Sequence, residues 1–250
     1  MVLLYNKIYC IGGDSDKCVY AFDLKKNLNN LIETQEISLP SNGRFSGRLS
    51  VGAASFGGRL LILGGYFANN DTDYVDGYDP KDDDATDKID IFDPLTSRFQ
   101  EDEVGFNLER MMERRAGPGV CALDGKVYVI GGHCQHPLYG QGDDDCDIMV
   151  TLSSVECLHF EGNNLVRSSM RPMSCPRMRP AVAAYNGKLY VIGGLKDVDP
   201  VQHTYSDSIE VYDPANNTWT TLGEKLAGAR VISNACLINR RLAVKNSRLL

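Results

Sequence analysis

The 250-residue chain contains no apolar run close to the roughly 20 residues that a membrane helix requires. Its opening, MVLLYNKIYC, has neither the basic flank nor the long apolar core of an export signal. Together these absences lead to the expectation of a cytoplasmic protein with no membrane partner. Basic residues are in deficit, 26 Lys and Arg against 33 Asp and Glu, for a net charge of -7. Affinity for duplex DNA rests on cations at phosphates, so no nucleic-acid partner is expected. Histidine is scarce, with residues only at 133, 136, 159 and 203, and no GxSxG, HExxH or phosphate-loop motif occurs. No catalytic residue is therefore assigned, and the chain is expected not to be an enzyme. His133, Cys134, His136 and Cys146 share one stretch, but their spacing matches no standard zinc knuckle. The Asp71, Asp73, Asp76, Gly77 pattern is one residue out of the EF-hand spacing. Neither a metal nor any other cofactor is expected.

Helical periodicity is almost absent, and in its place stands a repeat. NKIYCIGG, GRLLILGG, GKVYVIGG and GKLYVIGG end at the glycine pairs Gly12-Gly13, Gly64-Gly65, Gly131-Gly132 and Gly193-Gly194. Arg48, Arg115 and Arg177 each lie 16 residues before the first glycine of a pair. Between arginine and glycines run two apolar segments joined at Gly57-Gly58, Asp124-Gly125 or Asn186-Gly187, a hairpin signal. A third segment follows, KIDIFDP at 88–94, SVECLHF at 154–160 or SIEVYDP at 208–214. A fourth begins at Phe99, Leu165 or Trp219. The repeating unit is a four-stranded antiparallel meander, and the class is all-β. The eight cysteines fit this frame as packed thiols rather than disulfides. Cys10 and Cys157 take positions held elsewhere by Ile or Val, and Cys121 and Cys236 share a position held by Ala54 and Ala183.

The ends of the repeat are ragged. Residues 1–43 read as a partial unit lacking its first strand, 44–110, 111–173 and 174–226 as complete units, and 227–250 as a partial unit. This last contributes a spare first strand from Arg230 to Asn239, after which Lys245-Asn246-Ser247 replaces the glycine pair.

The double glycine, the aromatic-Asp-Pro of the third strand (Tyr212-Asp213-Pro214) and Trp219 of the fourth resemble the Kelch motif. The resemblance runs from about residue 1 to 242 and is most faithful over 174–226. It implies a β-propeller of radial four-stranded blades, about four being present, as an incomplete ring or part of a six-bladed one. It further implies similarity to the Kelch domain of BTB-Kelch proteins, which are substrate adaptors of cullin ubiquitin ligases. A protein partner is then expected, with a cullin complex reached through a domain that this chain lacks. Two other readings stay open on the same resemblance, a Kelch protein that binds actin and a Kelch-fold enzyme acting on sugars.

Charge is divided between two kinds of connection. The loops after the glycine pairs hold fifteen Asp against Lys81, Lys88 and Lys196, which is -12 and leaves the rest of the chain at +5. The connections that enter each unit carry arginines instead. Because the resemblance places the first strand innermost, Arg48, Arg115, Arg177, Arg179 and Arg230 are expected around the mouth of a central channel. A planar guanidinium is suited to binding carboxylates, so an acidic peptide is the expected ligand.

Overall fold

A computed structural model describes residues 1–11, 19–23, 34–37, 48–67, 85–99, 110–135, 149–162, 164–197 and 204–228. Four four-stranded antiparallel sheets account for most of them, each a meander of sequence neighbours. The first comprises Val2–Leu4, Lys7–Ile11, Val19–Asp23 and Thr34–Ile37. The second comprises Gly52–Phe56, Arg59–Leu63, Ile89–Asp93 and Arg98–Phe99. Gly119–Leu123, Lys126–Ile130, Val155–Glu161 and Asn164–Met170 form the third. Ala181–Tyr185, Lys188–Ile192, Ile209–Asp213 and Thr218–Thr221 form the fourth.

Local chemistry explains the meander. Each inner hairpin turns on two residues with positive φ, for instance Asp124 (49°) with Gly125 (69°) and Asn186 (48°) with Gly187 (70°). This conformation matches the twist of the flanking strands. In the first sheet the same turn is made by Tyr5 (49°) and Asn6 (60°), neither of them glycine. The expectation that this unit lacks its first strand is corrected here. Val2–Leu4 pairs with Lys7–Ile11, Val2 opposite Tyr9, and the buried Val2 side chain secures it against the second sheet. The glycine pair Gly12-Gly13, Arg230 and the proposed spare strand 230–239 lie outside the described residues.

Because side chains alternate across a strand, each sheet has two faces, and the second and third sheets pack on both neighbours. Val2, Tyr9 and Ala21 meet Leu60, Ile62 and Phe92 between the first and second sheets. Leu61, Leu63 and Ile91 meet Val127, Val129 and Leu158 between the second and third. Tyr128, Ile130 and Cys157 meet Leu189, Val191 and Tyr212 between the third and fourth. The innermost strands converge on a cavity of about 90 Å³ lined by residues 51–53, 118–120 and 180–182 together with Met1 and Ile11.

Two-stranded ribbons not foreseen from sequence extend the units at the glycine end: Arg48–Leu49 with Tyr66–Phe67, His133–Gln135 with Met149–Thr151, and Leu195–Asp197 with Thr204–Tyr205. Among the described residues no helix is long and apolar enough to cross a membrane.

Candidate functional site

The arginines found by their spacing do not face a partner. Arg48, Arg115 and Arg177 are 1%, 0% and 0% exposed, and each guanidinium is spent inside its own unit. One nitrogen donates to the carbonyl of the first glycine of the pair, at 2.7 Å for Gly64, 2.7 Å for Gly131 and 3.0 Å for Gly193. The other donates to a carboxylate on the third strand, Asp90, Glu156 at 2.8 Å and Glu210 at 2.7 Å. Burying an ion pair is tolerable only when its remaining hydrogen-bonding capacity is satisfied. Glu156 accepts from the Met112 and Glu113 amides, and Glu210 from the amide and hydroxyl of Ser174. Burial alone would raise the Glu210 carboxyl, but the bonds from Ser174 and Arg177 hold it below its ordinary pKa. For Asp90 burial prevails over Arg48 and the pKa is raised. A partner-facing role for Arg48, Arg115 and Arg177 is therefore corrected to a structural one, because no partner reaches a guanidinium with no exposed surface.

The main chain of the same arginines serves the preceding sheet. The Gly65 amide donates to the Arg115 carbonyl at 2.9 Å, and the Gly132 amide to the Arg177 carbonyl at 2.9 Å. This close approach explains the glycines. A Cβ on Gly64 would fall 2.1 Å from the Arg115 carbonyl oxygen, and one on Gly131 would fall 2.2 Å from that of Arg177. Both residues also hold positive φ, 64° and 62°.

Two residues beyond each arginine the chain enters the left-handed region in all three units, at Ser50 (52°), Gly117 (59°) and Arg179 (51°). These residues are linked across sheets. The Gly117 amide donates to the Ser50 carbonyl at 2.6 Å, and the Arg179 amide to the Gly117 carbonyl at 2.7 Å. Arg179 then reaches back, its guanidinium donating to Ser50 Oγ at 2.9 Å. Each of the three stands directly before the stretch lining the central cavity, so the arc forms one of its mouths. Of the four described arginines assigned to the mouth, Arg179 alone is exposed.

Beneath this arc sits His133, 4% exposed, its backbone paired with Ala116 in both directions at 2.8 Å. Burial, reinforced by the charge of Arg179, pushes its pKa down to about 4. It is neutral at pH 7, and its Nδ1 has no hydrogen-bond partner. His136 and Cys146 lie outside the described residues, among which no group of three His, Cys, Asp or Glu is disposed to hold a metal.

The remaining motif residues are structural. Tyr212 is buried, its hydroxyl donating to Asn217 Oδ1 at 2.7 Å and its ring 4.9 Å from that of Trp219. Trp219 Nε1 donates to the Arg171 carbonyl at 2.8 Å. Asp213 caps the turn that follows it by accepting from the Ala215 amide at 3.0 Å. Sequence reasoning missed the carboxylate partners and the left-handed arc. The first had a signal, an acidic residue at the same alternating position in KIDIFDP, SVECLHF and SIEVYDP. The second had a weaker one, a glycine or arginine preceding Pro118 and Pro180.

Radial antiparallel sheets around an axial cavity, the second tied to the third and the third to the fourth at a glycine pair, define a β-propeller. A family profile described as the Kelch motif matches residues 114–164 and 176–225. Kelch-like protein 23 of Homo sapiens is 24% identical over 264 residues, covering 93% of this chain and 42% of that protein. The chain thus spans less than half the length of this curated relative. The solved structure of YjhT superposes with a TM-score of 0.64 at 16% identity, over 91% of this chain and 65% of the other. The chain carries two matches to the Kelch motif within an all-β propeller fold. N-acetylneuraminate epimerase of Pasteurella multocida is 43% identical over 49 residues, 20% of this chain and 13% of that protein. This match to an enzyme overturns the expectation that enzymatic function is excluded. The exclusion rested on missing motifs, whereas a propeller carries its chemistry in loops that need contain none of them.

Proposed function

We propose that the chain is a protein-interaction module that takes a carboxylate-bearing segment of its partner at the mouth formed by Ser50, Gly117 and Arg179. The observation that carries this reading is Arg179, an exposed guanidinium held in a left-handed conformation at the cavity mouth and oriented by Ser50. The fork geometry of arginine favours a planar anion, and pre-orientation lowers the entropic cost of binding one. Within this reading the finer role is recognition of substrates in an adaptor of the BTB-Kelch kind. The match to Kelch-like protein 23 along nearly the whole chain supports it. The test is an anisotropy titration of acidic peptides with wild type, Arg179→Ala and Arg179→Lys. Loss of an anchoring bidentate contact weakens binding by about tenfold or more, roughly 1.4 kcal/mol, with lysine restoring only part. Equal affinity in all three would refute the site.

A second reading is favoured by the epimerase match, that the same mouth takes an acidic sugar. Incubation with N-acetylneuraminate followed by proton NMR decides it, since turnover that disappears in Arg179→Ala supports this reading and no change in the spectrum refutes it.

A further inference from the structure

Where the ribbons leave the glycine pairs, three described units each set three residues side by side across their strands. The rows are Leu49, Tyr66 and Ala85; Ala116, His133 and Thr151; and Met178, Leu195 and Tyr205. The central residue is buried in every row, Tyr66 at 7%, His133 at 4% and Leu195 at 5% exposure. Two rows fill that place with a large aromatic or aliphatic side chain, and the middle row fills it with an imidazole. A polar group in such a position is costly unless its hydrogen bonds are met. A break in an otherwise repeated pattern therefore marks a place with a requirement of its own.

The local main chain does not meet that requirement. His133 exchanges both of its backbone hydrogen bonds with Ala116 at 2.8 Å, so towards Met149–Thr151 it forms the non-hydrogen-bonded kind of pair. In that kind the Cα atoms of His133 and Thr151 stand about 4.5 Å apart, and the two side chains leave the same face of the ribbon close together. His133 Nδ1 and Thr151 Oγ1 are both buried, and neither has a hydrogen-bond partner, the other included. Two orphans on facing residues point to one shared partner, since each would otherwise forfeit its full desolvation penalty. A molecule with hydrogen bonds of about 2.8–3.0 Å on either side of a single oxygen spans about 4.6–4.9 Å, which suits side chains at this separation. Water donates and accepts at once, so it satisfies the neutral ring in either tautomer. A cation is disfavoured by the charge of Arg179, which is felt at the ring. Ala116 also ends short of the space that Leu49 and Met178 fill in the other rows. We propose that His133 Nδ1 and Thr151 Oγ1 form a binding site for one buried water molecule, which bridges them beneath the mouth. The site stands whether or not the mouth takes a carboxylate.

A double-mutant cycle and a crystal structure of the full chain test this. Thr151→Val keeps the shape of the side chain and removes one anchor, and should lower the folding constant in urea melts by about fivefold or more. In a His133→Leu background, where the residue of the fourth unit replaces the other anchor, the same change should leave the constant within about twofold or raise it. The wild-type crystal should show one water at about 2.7–3.2 Å from both atoms, lost in the double variant. A direct bond from Nδ1 to Thr151 or to the Ala116 carbonyl overturns the proposal. So does a crystal with no water at both atoms, or a Thr151→Val effect of the same size in both backgrounds.

Discussion

Replacing Arg177 with alanine removes a fully buried charge whose two terminal nitrogens make five hydrogen bonds. The side chain donates to the Gly193 and Ser208 carbonyls at 3.0 and 3.1 Å, to Ser206 Oγ at 2.9 Å, to Ser208 Oγ at 2.7 Å and to Glu210 at 2.7 Å. Without it Glu210, with no exposed surface, becomes an uncompensated buried carboxylate that keeps only its bonds from Ser174. Breaking a buried pair in this way costs about 3–5 kcal/mol, a large share of the roughly 5–15 kcal/mol that holds a domain folded. The assay is urea unfolding followed by tryptophan fluorescence. The chain has one tryptophan, Trp219, and it lies in the fourth sheet, so the signal reports the affected unit. The pH dependence gives a second readout. The folded Glu210 pKa is lowered, so the pair contributes fully above the unfolded carboxyl value of about 4.3 and is lost as pH falls through the folded value. The gap between wild type and Arg177→Ala should therefore narrow on acidification from pH 5 to 3. The double variant Arg177→Met/Glu210→Leu should recover much of the loss, because it removes both charges. A single-variant cost under 1 kcal/mol, or a gap unchanged down to pH 3, would refute the assignment of Arg177 as the centre of this unit.

Two further outcomes follow from the same geometry. His133 titrates near 6.5 in the unfolded chain and near 4 when folded, so stability should fall as pH drops from about 6.5 to 4, by at most about 3 kcal/mol. Thermal melts of wild type and His133→Gln across that window check it, with the variant expected to be flatter and an identical slope counting against burial of a neutral imidazole. Gly131→Ala meets both a positive φ and the Arg177 carbonyl, and should destabilise by about 2 kcal/mol or more. The same change at Gly125, where nothing lies within 4 Å, should cost only the turn strain, and equal losses at the two sites in urea melts would disprove the close-approach account.

How much of this was legible depends on what each signal encodes. The glycine pairs, the turns and the third-strand motif are local requirements, so they recur at fixed spacing, and the all-β meander could be read directly from them. The burial of Arg48, Arg115 and Arg177 could not, because arginine is ordinarily a surface residue. Only their joint occurrence with Asp90, Glu156 and Glu210 inside otherwise apolar strands marks them as buried pairs. Val2–Leu4 escaped notice because three residues carry no periodicity and because Tyr5-Asn6 is an unusual pair for a tight turn. The left-handed arc was invisible because Ser50, Gly117 and Arg179 share a conformation and not a chemistry. That sharing turned the expected ring of arginines into a mouth whose one exposed described arginine is Arg179.

The bonds from the glycine pairs to the following arginines also set a schedule for synthesis. The amide of Gly65 has no acceptor until Arg115 has been made, and that of Gly132 waits for Arg177. At about 5–20 residues per second each wait lasts about 2–10 s. A nascent chain therefore always carries its newest sheet unlatched, its outer face open to whatever is nearby, until the next unit leaves the ribosome and closes it.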